Sequence, residues 1–116
     1  PDEYQRLVDR VQRMVRSSLD ALVHQDPTLA RSVIAMDLET DELNRQQFKI
    51  WQLHMAEKPE RIRCAMQALS ASRNLERIGD LATNIAEDVV FMVEGQVIRH
   101  RHEEFLDTEL ADKLDV

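Results

Sequence analysis

The sequence predicts an all-α fold, an antiparallel three-helix bundle of long helices joined by short turns. Three observations predict it. Apolar residues recur at spacings of three and four along most of the chain, the signature of amphipathic helices. Pro27 and Pro59 each stand where a helix would begin, a position that suits the fixed φ of proline. The 116 residues include only 2 Gly and 3 Pro, too little turn material for a sandwich or barrel. No strand-like alternation of useful length is present.

The first helix is expected over residues 2–24. Its stripe is Tyr4, Leu7, Val8, Val11, Met14, Val15, Leu19 and Leu22. His24-Gln25-Asp26-Pro27-Thr28 breaks the pattern, with Asp26 as a cap and Pro27 in the first turn of the next helix. The second helix is expected over 27–56, with Leu29, Val33, Met36, Leu43, Ile50 and Trp51 as its stripe. Glu57-Lys58-Pro59-Glu60 is the second break. The third helix is expected over 59–94, through Ile62, Met66, Leu69, Leu75, Ala82, Ile85, Val89 and Val93. Gly95 is placed to stop it. Residues 1–95 thus form one bundle, and 96–116 a polar, acidic tail with room for a short helix around residues 103–111. Short turns between long helices force antiparallel neighbours. The basic run Arg99-His100-Arg101-His102 and the acids after it read as solvated surface.

Composition narrows the function. Charged residues make up 32% and hydrophobic ones 43%, as in a compact globular chain. The net charge is −7 and aromatics are 4%, so nucleic acid is not an expected partner. The single cysteine, Cys64, excludes an intrachain disulfide and a cysteine-rich zinc site, and reads as a small core residue. No run of 18 apolar residues is available to span a membrane. No Ser/His/Asp set, phosphate loop or redox motif appears, and His24 and His54 read as helix-end surface. The start at Pro1, without an initiator Met or signal pattern, suggests a fragment of a longer protein.

Carboxylates interrupt the apolar stripes. At 100° per residue, Asp37 and Asp41 share a line of the second helix with Ala30, Phe48 and Met55. Glu76 and Asp80 share a line of the third with Ile62, Leu69 and Phe91, and Asn84 and Glu87 continue it. An i, i+4 spacing puts each pair on one face. With the hairpin turn centred near residue 57, the two pairs lie within about three residues, or roughly 4.5 Å, of the same height. Four carboxylates meeting in a bundle suit a hard or borderline cation such as iron, manganese, zinc or magnesium. The competing reading pairs them with Arg73 and Arg77. Gly79 beside them costs about 1 kcal/mol in a helix interior, which points to close helix approach or space left near Asp80.

The run Leu75-Glu76-Arg77-Ile78-Gly79-Asp80-Leu81-Ala82-Thr83-Asn84-Ile85-Ala86-Glu87 resembles the PhoU family of phosphate-signalling regulators. The similarity continues through Val89–Gly95 and Arg99-His100, and backwards through Met55-Ala56-Glu57-Lys58-Pro59 and Met36–Leu43, covering roughly residues 10–100. The resemblance implies an all-α protein of two three-helix repeats, with this chain resembling the second. It implies a multinuclear iron or zinc cluster on Glu/Asp-x-x-x-Asp motifs, which fall here on Asp37/Asp41 and Glu76/Asp80. Leu81 stands where the family often has a histidine. It also implies a cytoplasmic, peripheral membrane regulator without catalysis. Such a protein would couple the ATPase subunit of the phosphate-specific ABC transporter to a sensor histidine kinase. It would restrain uptake and the phosphate regulon when phosphate is plentiful.

Two function classes follow: this signalling adaptor, or a metal-dependent enzyme or metal-storage protein built on the carboxylates. The third helix also carries two apolar faces, one through Ile62, Leu69 and Phe91, the other through Cys64, Ala68, Leu75, Ala82 and Val89. One bundle covers only part of such a surface, so a homodimer is expected.

Overall fold

The structure, a computed structural model, describes the backbone of residues 2–114 and the side chains of residues 3–96, Leu106 and Thr108. Three α-helices follow one another: α1 (Asp2–His24), α2 (Pro27–Glu57) and α3 (Ile62–Leu114), with a single 3-10 turn (Pro59–Arg61) before α3. The helices pack on one another in all three pairs, which makes the bundle up-down-up as expected.

The first turn is built from its own polar groups. Asp26 Oδ1 accepts from the Leu29 amide at 3.1 Å, and Pro27 occupies the first turn of α2. At the end of α1, the Asp26 amide donates to the Ala21 carbonyl at 2.9 Å and the Gln25 amide to that of Leu22 at 3.4 Å. Gln25 sits at φ 51°, the left-handed position that glycine usually fills in this double-bonded helix end.

Burial follows a 3.5-residue seam. On α1 the buried positions are Leu7, Val11, Met14, Ser18 and Ala21. Leu19 and Leu22, expected in the stripe, are 46% and 42% exposed, while Ser18 and Ala21 are fully buried. Small residues let the helices close at that end, and Ser18 satisfies its hydroxyl on the Val15 carbonyl at 2.8 Å. On α2 the seam is Ala30, Val33, Thr40, Asn44 and Gln47, with half-buried Asp37 in the slot between Val33 and Thr40. On α3 a column of small residues seven apart, Ala65, Ser72, Gly79 and Ala86, is buried.

Four expectations change. Cys64 is exposed rather than a core residue. Ile62 and Met66 are exposed beside the second turn. A Cβ on Gly79 would lie 3.9 Å from Met14 Cε and from Thr40 Cγ2, ordinary contact, so that glycine is not demanded by tight packing. Finally, α3 does not stop at Gly95. It runs on about 20 residues past the Arg31–Glu94 ion pair, to Leu114, and neither glycine has a positive φ. A glycine stops a helix only when it turns left-handed. Here no proline follows, and Leu, Glu, Arg and Ala after Gly95 favour helix. The side chains of Arg99–His102 and of the tail acids lie outside those described, as do Pro1 and residues 115–116.

Candidate metal centre on the α2–α3 face

The site grows out of the hairpin register. Ser72 Oγ donates to Asn44 Oδ1 at 2.9 Å, so α2 and α3 face each other about a centre near residue 58. Asp37 is then level with Gly79, next to Asp80. The seam slot at Asp37 brings a carboxylate inward, where an apolar side chain would ordinarily sit. Asp41, one turn on, is also half-buried, and Asp80 reaches across from α3.

Ligand oxygens of Asp37, Asp41 and Asp80 all lie within 4.8 Å of one another. That separation fits one cation with oxygen ligands at about 2.0–2.6 Å, whose opposite ligands stand roughly 4–5 Å apart. The donor set is hard oxygen from two helices. Three of the four expected residues therefore converge. Glu76 does not join them: it is exposed and lines a cavity of about 380 Å³ beyond Asp41. It lies one turn of α3 from Asp80, about 6 Å of rise.

The electrostatics fit an unneutralised acid group. Burial, then the charges of Asp41 and Asp80, push the Asp37 carboxyl above its ordinary range, and Glu87 adds to this. The Thr83 hydroxyl beside Asp37 works in the opposite direction. Its single proton is donated to the Gly79 carbonyl at 3.0 Å, which limits that relief. The ion pairs among the described residues are Arg10–Glu39, Arg31–Glu94 and Arg45–Glu42. None of them involves Asp37, Asp41, Glu76 or Asp80, so the expected alternative, neutralisation by Arg73 or Arg77, is not what the helices form.

Sequence reasoning missed the polar seam around the acids. Thr40, Asn44, Gln47, Ser72 and Thr83 are all buried. Their signal was spacing: positions 30, 33, 37, 40, 44 and 47 form one regular seam, four of the six polar.

The PhoU domain family matches residues 4–89. The phosphate-specific transport system accessory protein PhoU homolog of Zymomonas mobilis is 41% identical over 93 residues, covering 80% of this chain and 39% of that protein. Its counterpart in Pseudomonas putida is 38% identical over 98 residues, covering 84% and 38%. That of Deinococcus radiodurans is 34% identical over 90 residues, covering 78% and 42%. The chain spans about two fifths of the length of these relatives. No solved structure matches.

Proposed function

The chain belongs to the PhoU family, and on that premise we propose that it acts as an accessory and regulatory protein of phosphate uptake. The observation that carries this reading is the family match across 4–89, nearly the whole three-helix bundle. In physical terms the protein is a helical adaptor. Its faces bind the ATPase subunit of the phosphate transporter and a sensor histidine kinase, and its affinity for each depends on the partner's state. It restrains uptake and the phosphate-starvation response when phosphate is plentiful. No helix among the described residues is long and apolar enough to cross a membrane. The proposed setting is the cytoplasm, against the transporter at the membrane, with no catalytic step.

The carboxylates serve this role as a metal centre. Asp37, Asp41 and Asp80 hold a cation, iron or zinc, and Glu76, outside that group, is the acid on which a second cation of a multinuclear site would draw. The cation would tie α2 to α3 and stiffen the outward face. That face carries Phe48 at 45%, Met66 at 61% and Phe91 at 78% exposure, a surface for homodimer formation.

Phosphate uptake in cells lacking the full-length protein tests the adaptor. Restoring it should lower uptake in phosphate-rich medium, and the transporter ATPase and the kinase should co-purify with it. Unchanged uptake and no association would overturn the reading. The alternative, a metal-dependent enzyme or a metal store, rests on the acid cluster alone. Turnover by the metal-loaded protein that is lost in Asp80→Asn would favour it.

A further inference from the structure

The cavity beside the carboxylates has a chemistry that the cation does not use. It lies between α2 and α3, and Asp41 belongs both to its wall and to the three-carboxylate group. Arg45 from α2 and Arg73 from α3 line it from opposite helices. Among the described residues Arg73 has no ion pair, and Arg45 has only an exposed one at 3.3 Å to Glu42, three residues away. Asn44 and Ser72 line the cavity too and are 8% and 6% exposed. Ser72 spends its hydroxyl proton on Asn44 Oδ1. The buried Asn44 Nδ2 is left with no acceptor among the described residues. A buried donor without an acceptor is costly, so its retention calls for an explanation.

We infer that this cavity binds a small oxyanion, inorganic phosphate being the natural probe, and binds it only when a cation occupies Asp37, Asp41 and Asp80. This inference rests on the metal reading above. Two guanidiniums from facing helices are donors only, an unpaired amide N–H lies buried in the wall behind them, and a tetrahedral oxyanion presents mainly acceptors. The acids supply the condition. With no cation, Asp41 and Glu76 in the wall and Asp37 and Asp80 beside it outnumber the two arginines, and an anion is repelled. A divalent cation cancels that excess and offers a positive edge next to Arg73. Metal and oxyanion then bind with positive coupling, and each raises affinity for the other by the same factor.

Equilibrium dialysis of the whole chain with labelled phosphate, with Mn²⁺ and with chelator, tests this, alongside a Mn²⁺ titration read by electron paramagnetic resonance. Wild type with Mn²⁺ should bind phosphate at least about tenfold more tightly than with chelator. Arg73→Gln, an exposed substitution, should keep its Mn²⁺ affinity within about twofold and lose at least about tenfold in phosphate affinity. Asp80→Asn should lose both ligands together. Acetate at matched ionic strength that fails to displace phosphate assigns a tetrahedral oxyanion; displacement widens the ligand class to carboxylates at the same residues. Mn²⁺ binding without phosphate binding overturns this inference and leaves the metal centre standing. So does phosphate affinity that is unchanged by chelator or by Arg73→Gln. If Mn²⁺ does not bind at all, the metal reading falls and this inference with it.

Discussion

The bundle has two unlike halves. Near the α1–α2 turn, Met14, Ala21, Ala30, Val33, Ala82, Ala86 and Val89 form one apolar cluster drawn from all three helices. Toward the α2–α3 turn, the seam changes to Thr40, Asn44, Gln47 and Ser72, with Leu7, Val11 and Ala65 as its fully apolar members. Two of the open spaces lie in the second half. A groove of about 500 Å³ lies between α1 and α2 around Arg10 and Leu43, and the smaller cavity lies between α2 and α3. The three aspartates stand where one half gives way to the other. The difference teaches a division of labour. Apolar burial stabilises at about 25 cal/mol per Å² wherever it occurs, whereas a buried polar seam gains little net and holds donors and acceptors in register. A site needs the second kind of interior next to the first.

The largest expected effect tests the apolar half. Met14 is fully buried and in contact with both other helices near Gly79 and Thr40. Met14→Ala should cost about 2–5 kcal/mol in denaturant unfolding. Asn44→Leu in the polar half should cost much less, since it removes an unpaired donor along with one hydrogen bond. Equal losses would erase the distinction between the halves.

Next comes the boundary. With Mn²⁺ at about 100 times its Kd, wild type should gain roughly 2.7 kcal/mol over the chelated protein, and Asp80→Asn should not. In chelator the sign reverses. The raised Asp37 carboxyl means that the folded protein holds its proton more tightly than the unfolded chain. The metal-free protein should therefore lose stability as pH rises from the ordinary carboxylate range through the raised folded value. Asp37→Asn should flatten that slope and leave the chelated protein as stable as wild type or more so. Melting temperatures across pH, with and without chelator, check both statements. A loss in Asp80→Asn that is the same with and without metal would mean that the acids do not share a cation.

A smaller effect sits at Gly79, also on the boundary. Its Cβ space is ordinary contact, so Gly79→Ala should stabilise by about 1 kcal/mol. Marked destabilisation would show that the halves meet more tightly than the geometry indicates. The smallest effect lies beyond the apolar half. Gln25→Gly relieves a left-handed residue at the end of α1 and should add up to about 1 kcal/mol, seen as a small rise in Tm.

Three helices, both turns and the cap at Asp26 were legible in the sequence, because each is set by local chemistry: a period, a proline, a side chain that reaches its own backbone. The i, i+4 pairing of Asp37 with Asp41 was legible for the same reason. What the tertiary structure alone decided is which groups meet across helices. Periodicity gives a residue's angle about its own axis and says nothing of the partner's distance or register. Thus Ser18 and Ala21 are buried where Leu19 and Leu22 were expected, because the close contact at that end admits only small side chains. Asp80 reaches the α2 carboxylates, whereas Glu76, level with Asp41 in the register, lines the cavity beside them, a choice that no helical period makes. Gly95 continues a helix, because its left-handed option was never enforced by a cap. The acids were visible as residues; their convergence into one oxygen-lined group, with a polar cavity at its side, came from how α2 and α3 pack.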